Sequence, residues 1–273
     1  MGDNNALSAN LTAETRKNLF GNADLNMLWT CPSDPRFPYW VHIPDSYSEE
    51  ENPQYQLMVI IHGTGCATEN YVKEACEWAD KNHVAILAPL FPSGVIDRND
   101  FNAYKMMVCD GIRYDHILLA MIEDMGKRYP GVETEKFFLF GHSGGGQYTN
   151  RFLYLHPERL KAVSICSPGR PTFLNFEEDY FWGVKNFKQV FDKELNLEQI
   201  KQVPVQITVG ECDNKFIGDS PYGTNRVERM KSLKKNLEAH EIYVELEILP
   251  GLAHEFGDRE RVQTAQGFFK HYF

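Results

Sequence analysis

The chain reads as one α/β domain, a mostly parallel sheet with helices on both faces, and three observations predict it. Short apolar runs alternate with longer amphipathic stretches along the 273 residues. Several of those runs are apolar throughout, Leu57-Met58-Val59-Ile60-Ile61 most plainly, as a strand covered on both faces requires. No fixed-period repeat or low-complexity linker interrupts the alternation, so a single domain over 1–273 accounts for the length.

The elements follow in order. Tyr39-Trp40-Val41-His42-Ile43 is an early strand closed by Pro44, which leaves 1–38 as an amino-terminal extension. Residues 57–61 form the next strand, 69–82 a helix and 84–88 a strand. Residues 110–129 carry Ile112, Leu118, Leu119 and Ile122 between charges and predict a helix ended by Pro130-Gly131. Then come strand 137–140, helix 144–156, strands 162–165 and 205–209, helix 225–239, strand 243–249 and helix 259–272. In such sheets ligands bind beyond the carboxyl ends of the strands, so chemistry is expected in the loops just after the apolar runs.

One stretch, 170–202, breaks the rhythm. It is long for a strand-to-helix connection and rich in aromatic residues, among them Phe173, Tyr180, Phe181, Trp182 and Phe187. Long insertions in compact domains are usually functional. It reads as a short cap over the site, with Trp182 or Phe181 as pocket wall. The plainer alternative is that its aromatics only anchor it to the domain.

Charge and composition mainly exclude. A formal charge of −10 argues against nucleic acid or an anionic membrane as the main partner. Residues 1–18 are polar and lack the apolar centre of a secretory signal, and no apolar stretch approaches a membrane span. A cytoplasmic location is therefore expected. The six cysteines, Cys31, Cys66, Cys76, Cys109, Cys166 and Cys212, lack metal or CxxC spacing and read as free thiols. No cofactor or metal is expected; the partner is a small-molecule substrate, and the oligomeric state stays open.

The chemistry concentrates in Phe137-Phe138-Leu139-Phe140-Gly141-His142-Ser143-Gly144-Gly145-Gly146, an apolar strand, a G-x-S-x-G turn and a helical segment. A serine on such a tight strand-to-helix turn is exposed at the sheet edge, and glycines two residues to either side let the turn close. The helix that follows directs its free N–H groups toward charge developing beside the serine. Two later runs add an acid and a base: Val205–Val209 ends in Gly210-Glu211-Cys212-Asp213, and Leu249-Pro250-Gly251-Leu252-Ala253-His254 follows the last strand.

With these residues the chain resembles the α/β-hydrolase family over most of 39–273. Motif spacing and the short cap look most like its dienelactone-hydrolase and feruloyl-esterase-like branches. The resemblance implies an α/β-hydrolase fold and a triad of Ser143, Asp213 and His254, in the family's chain order. Glu211 and Asp219 remain alternative acids. Ile61-His62-Gly63-Thr64-Gly65 resembles the oxyanion loop, implying backbone donors at Thr64 and Gly144, with Gly65 as the alternative to Thr64. His62 is expected to brace that loop. His142 is a packed elbow residue or a substrate contact, and Tyr104, Lys105 and Arg113 read as a solvated charged loop, with substrate contact as the alternative. The implied activity is hydrolysis of a carboxylic ester or lactone of a small organic molecule. Carbon–carbon bond hydrolysis of a β-diketone and non-catalytic ligand binding are the competing readings.

Overall fold

A computed structural model describes residues 26–48, 55–255 and 257–273. Its strands are β1 (Asn26–Thr30), β2 (Pro38–His42), β3 (Gln56–Ile61), β4 (Val84–Pro89), β5 (Val108–Cys109), β6 (Ile112–Arg113), β7 (Phe137–His142), β8 (Leu160–Cys166), β9 (Val205–Gly210) and β10 (Val244–Leu249). Eight of them form one sheet in the order β1-β2-β4-β3-β7-β8-β9-β10. From β4 to β10 all neighbours are parallel, and β2 runs antiparallel to both β1 and β4.

The helices are α1 (Thr68–Asn82), α2 (Tyr114–Arg128), α3 (Gly144–Leu155), α4 (Phe187–Phe191), α5 (Leu197–Ile200), α6 (Arg226–Glu238) and α7 (Asp258–Phe269). Two apolar cores, one on each sheet face, explain the all-apolar strands. Along β3, Leu57, Val59 and Ile61 enter one core while Met58 and Ile60 enter the other. In β7, Phe137 and Leu139 separate from Phe138 and Phe140 in the same way. Ala75 and Ala79 of α1 pack with Val262 and Phe269 of α7 on one face; Tyr148, Phe152, Met230 and Leu233 of α3 and α6 cover the other. Among the described residues no helix is long and apolar enough to cross a membrane.

Two elements differ from the sequence expectation. Within the expected extension 1–38, β1 joins the sheet edge, pairing from Asn26 opposite His42 to Thr30 opposite Pro38. Residues 1–25 lie outside the described residues. The helix expected over 110–129 starts only at Tyr114, because Asp110 and Gly111 take positive φ of 49° and 77° and turn a two-residue hairpin between β5 and β6. Asp-Gly is a favoured pair for such turns.

Much of the stretch 170–202 packs into the main domain. Phe173, Leu174, Val184, Phe187, Phe191 and Ile200 are buried in the larger core. Phe173 stacks on Tyr222 with ring centroids 3.6 Å apart. The buried Arg151 of α3 clamps its start, donating to Thr172 Oγ1 at 3.0 Å and to the Arg170 carbonyl at 2.9 Å.

Candidate active site

The elbow is built by backbone proximity. Ser143, between β7 and α3, has φ 57° and ψ −111°, a conformation rare for a side-chain-bearing residue. The helix behind it sits so close to the sheet that a Cβ on Gly145 would lie 2.2 Å from the Ile61 carbonyl oxygen. One on Gly146 would lie 2.4 Å from that of Cys166. Glycine there is a packing requirement.

Three side chains from three loops then meet. His254 Nε2 is 2.9 Å from Ser143 Oγ, and His254 Nδ1 is 2.7 Å from Asp213 Oδ2. A carboxylate only accepts, so Nδ1 carries the proton and Nε2 accepts from the serine hydroxyl. Burial alone would raise the Asp213 pKa; the hydrogen bond from His254 and the charges of His254 and Arg226 outweigh it and hold the carboxyl below its ordinary value. Among the described residues Asp213 is the acid that meets this histidine. Asp219 is exposed, and Glu211 accepts the Gly251 N–H instead. Behind the loop, the buried Arg261 donates to the carbonyls of Ala253 and His254.

His62 braces the neighbouring loop. Its Nδ1 donates to the Gly63 carbonyl at 2.7 Å and its Nε2 accepts the Phe91 N–H at 2.9 Å. Burial pushes its pKa down to about 4, so the ring is neutral. The Cys66 N–H closes a turn onto the Gly63 carbonyl, with Thr64 and Gly65 at its tip. The Thr64 hydroxyl oxygen is 3.1 Å from where a Gly144 Cβ would be, so Thr64 faces the first residue of α3. The Gly144 N–H, in the first turn, has no acceptor within the helix.

Ser143, Thr64 and Phe181 line one cavity of about 410 Å³ together with Asn102, Lys105, Gln147, Arg170 and Arg226. A larger hollow of about 590 Å³ lies around His116, Glu123 and Arg159, away from these groups. Of the residues expected on the pocket wall, Phe181 is there and two are elsewhere. Trp182 packs under the Arg229 guanidinium, 5.3 Å from its ring centroid, and beside Tyr222. His142 is buried beside His254, hydrogen-bonded to Tyr71 at 2.9 Å, its ring 4.8 Å from that of His254.

Lys105 departs from the solvated loop expected for it. It is buried, it donates to Asn102 Oδ1 at 2.8 Å, and burial lowers its pKa to about 8. Tyr104 is buried with its hydroxyl on the His62 carbonyl at 3.2 Å, and Arg113 pairs with Asp115. Sequence reasoning passed over Arg226, whose Nη1 is 3.2 Å from Asp213 Oδ1.

A model of the dienelactone hydrolase family matches residues 45–267. The chain belongs to that family. A curated relative, "Uncharacterized carboxylesterase nap" of Bacillus subtilis (strain 168), is 28% identical over 142 residues, 51% of this chain and 41% of that protein. The match thus spans less than half of the relative's length. Among solved structures, this dienelactone hydrolase family member is similar to poly(aspartic acid) hydrolase-1 from Sphingomonas sp. KT-1 (TM-score 0.72, 19% identity, 89% of this chain and 96% of that one). It is also similar to LpqC, a poly(3-hydroxybutyrate) depolymerase from Bordetella parapertussis (TM-score 0.71, 20% identity, 97% and 96%). At these identities the likeness shows the fold, which is the α/β-hydrolase fold.

Proposed function

We propose that this protein is a serine hydrolase that cleaves a carboxylic ester or lactone of a small organic molecule. The observation that carries the reading is the hydrogen-bonded chain Ser143–His254–Asp213, opening into a cavity. Ser143 Oγ attacks the carbonyl carbon as His254 Nε2 takes its proton. The N–H groups of Gly144 and Thr64 receive the oxyanion. His254 then protonates the departing alkoxide, leaving an acyl group on Ser143. Water attacks the acyl carbon as His254 takes its proton; the bond to Ser143 Oγ then breaks, His254 returns the proton to that oxygen, and the carboxylic acid is released. Asp213 holds the imidazole tautomer and stabilises the imidazolium.

The cavity wall also indicates what enters. Among the described residues it is lined by Lys105, Arg170 and Arg226 and by no carboxylate, on a chain whose net charge is −10. Such a local reversal of sign favours a substrate with a negative group, a half-ester of a dicarboxylic acid for example. Labelling with a fluorophosphonate probe tests the nucleophile. The folded wild type should be labelled and a folded Ser143→Ala variant should not, with its turnover down by about 10³-fold or more. A folded variant that keeps labelling or turnover would falsify the reading.

A further inference from the structure

We propose that Arg226 is a positioning residue for the triad acid: by holding the outer oxygen of Asp213 it fixes that carboxylate toward His254 and offsets part of its charge. The inference rests on the triad reading above.

Geometry comes first. The Asp213 side chain is wholly buried, and among the described residues two side chains donate to it. His254 Nδ1 takes Oδ2 at 2.7 Å and Arg226 Nη1 takes Oδ1 at 3.2 Å. A carboxylate held by one hydrogen bond swings readily about its terminal torsion; one held at both oxygens does not.

The place of Arg226 in the chain is the second observation. It is the first residue of α6, where the helix dipole favours anions and disfavours a cation. The helix start is already served by Asn225, whose side chain accepts the Glu228 N–H at 3.0 Å. The guanidinium is also largely out of water, its side chain 17% exposed, its Nε buried without a partner and its Nη2 against Gly169. Helix formation gains nothing from this arginine. The interaction that offsets its placement is the one with Asp213.

The electrostatic consequence has a definite sign. Asp213 favours the imidazolium that forms as Ser143 attacks. The Arg226 charge, 3.2 Å from the far oxygen, opposes part of that field, and its removal should leave the field stronger. The other charged or titratable groups facing His254 are His142, held neutral by burial, Arg261 on the loop carbonyls, and Glu255, exposed and paired with Lys215. They are common to every variant below, so a difference between variants reports on position 226.

The test is the pH profile of kcat/KM on a neutral nitrophenyl ester, which leaves anion binding out of the reading. Arg226→Gln and Arg226→Met should each move the acid limb up by about 0.5 to 1 pH unit and lower plateau kcat by about 10-fold, with KM within about 2-fold. Arg226→Lys should keep the limb near its wild-type position. Folded glutamine and methionine variants whose acid limb stays put or moves down would overturn the proposal. So would failure of both to fold, which would assign Arg226 to stability. Ser143→Ala separates the two levels: if it retains turnover the triad reading itself falls, whereas an inactive Ser143→Ala beside an unmoved limb removes only the role of Arg226.

Discussion

The Glu211 carboxylate accepts the backbone N–H of Gly251 at 2.9 Å. The two acids that end β9 therefore do different things. Glu211 ties down the turn that leads to His254, and Asp213 meets the histidine itself. Asp213→Asn should preserve the shape but present the wrong partner to Nδ1, lowering kcat by about 10³- to 10⁴-fold. Glu211→Gln keeps an amide oxygen for Gly251 and should stay within about 3-fold of wild type. Steady-state kinetics of the two variants on one ester decide the assignment, which fails if their order is reversed.

Lys105 carries a charge that is lost near the top of the useful pH range. Burial lowers its pKa to about 8, so the ammonium is present below that value and neutral above it. For a nitrophenyl half-ester bearing a carboxylate, KM should rise by about 5- to 10-fold between pH 7 and pH 9. For the matching neutral ester it should stay flat. Lys105→Met should raise the half-ester KM at pH 7 and abolish the rise; equal behaviour of the two esters would remove the charge preference.

The elbow glycines predict a stability difference independent of chemistry. A methyl on Gly145 meets backbone on two sides, 2.2 Å from the Ile61 carbonyl oxygen and 2.8 Å from that of His62. Gly145→Ala should cost about 3 kcal/mol or more and lower Tm by roughly 6–12 °C. A methyl on Gly65 would have no atom within 4 Å, and Gly65→Ala should leave Tm unchanged within about 1 °C. Thermal melts of the pair are sufficient.

Asp115 is a buried strut between the main domain and the stretch 170–202. Its carboxylate meets Arg113 at 2.6 Å and His156 at 2.8 Å, and Arg113 reaches on to the Phe191 carbonyl at 3.0 Å. Burial alone would raise its pKa; the hydrogen bonds from His156 and Arg113 outweigh it and hold the carboxyl well below the usual range. A depressed folded-state pKa gives stability that is present above the unfolded value, about 3.9, and lost as pH falls below it. Asp115→Asn should destabilise the fold by about 3 kcal/mol at pH 7 and flatten the decline of Tm below about pH 4. An unchanged Tm at both pH values would show that the strut carries no stability.

What could be read from the sequence follows burial. Leu57 to Ile61 of β3 and Phe137 to Phe140 of β7 are apolar throughout, and the G-x-S-x-G turn follows directly, so the sheet and the tight turn at Ser143 were both visible. β1 was not, because an edge strand needs one partner and no continuous apolar face; its Leu28 is 47% exposed. The hairpin β5–β6 hid behind two-residue strands too short to alternate, although Asp110-Gly111 marked the turn. Lys105 looked like solvated charge because its burial comes from distant chain, its Cε lying 2.7 Å from where a Gly144 Cβ would be. Arg226 did leave a local trace, a cation where a helix start prefers an anion.

The glycine-on-carbonyl contact between α3 and the sheet has a consequence for how this molecule can change. Ser143 is located by main chain resting on main chain, while Arg170 and Phe181 reach the same cavity from the stretch 170–202, whose start α3 holds through Arg151. Exchanging the side chains of Arg170 and Phe181 should change the cavity lining and leave the Ser143 hydroxyl where it was. A search for new substrates by mutagenesis should therefore begin at Arg170 and Phe181, whose side chains line the cavity without forming the turn that carries Ser143.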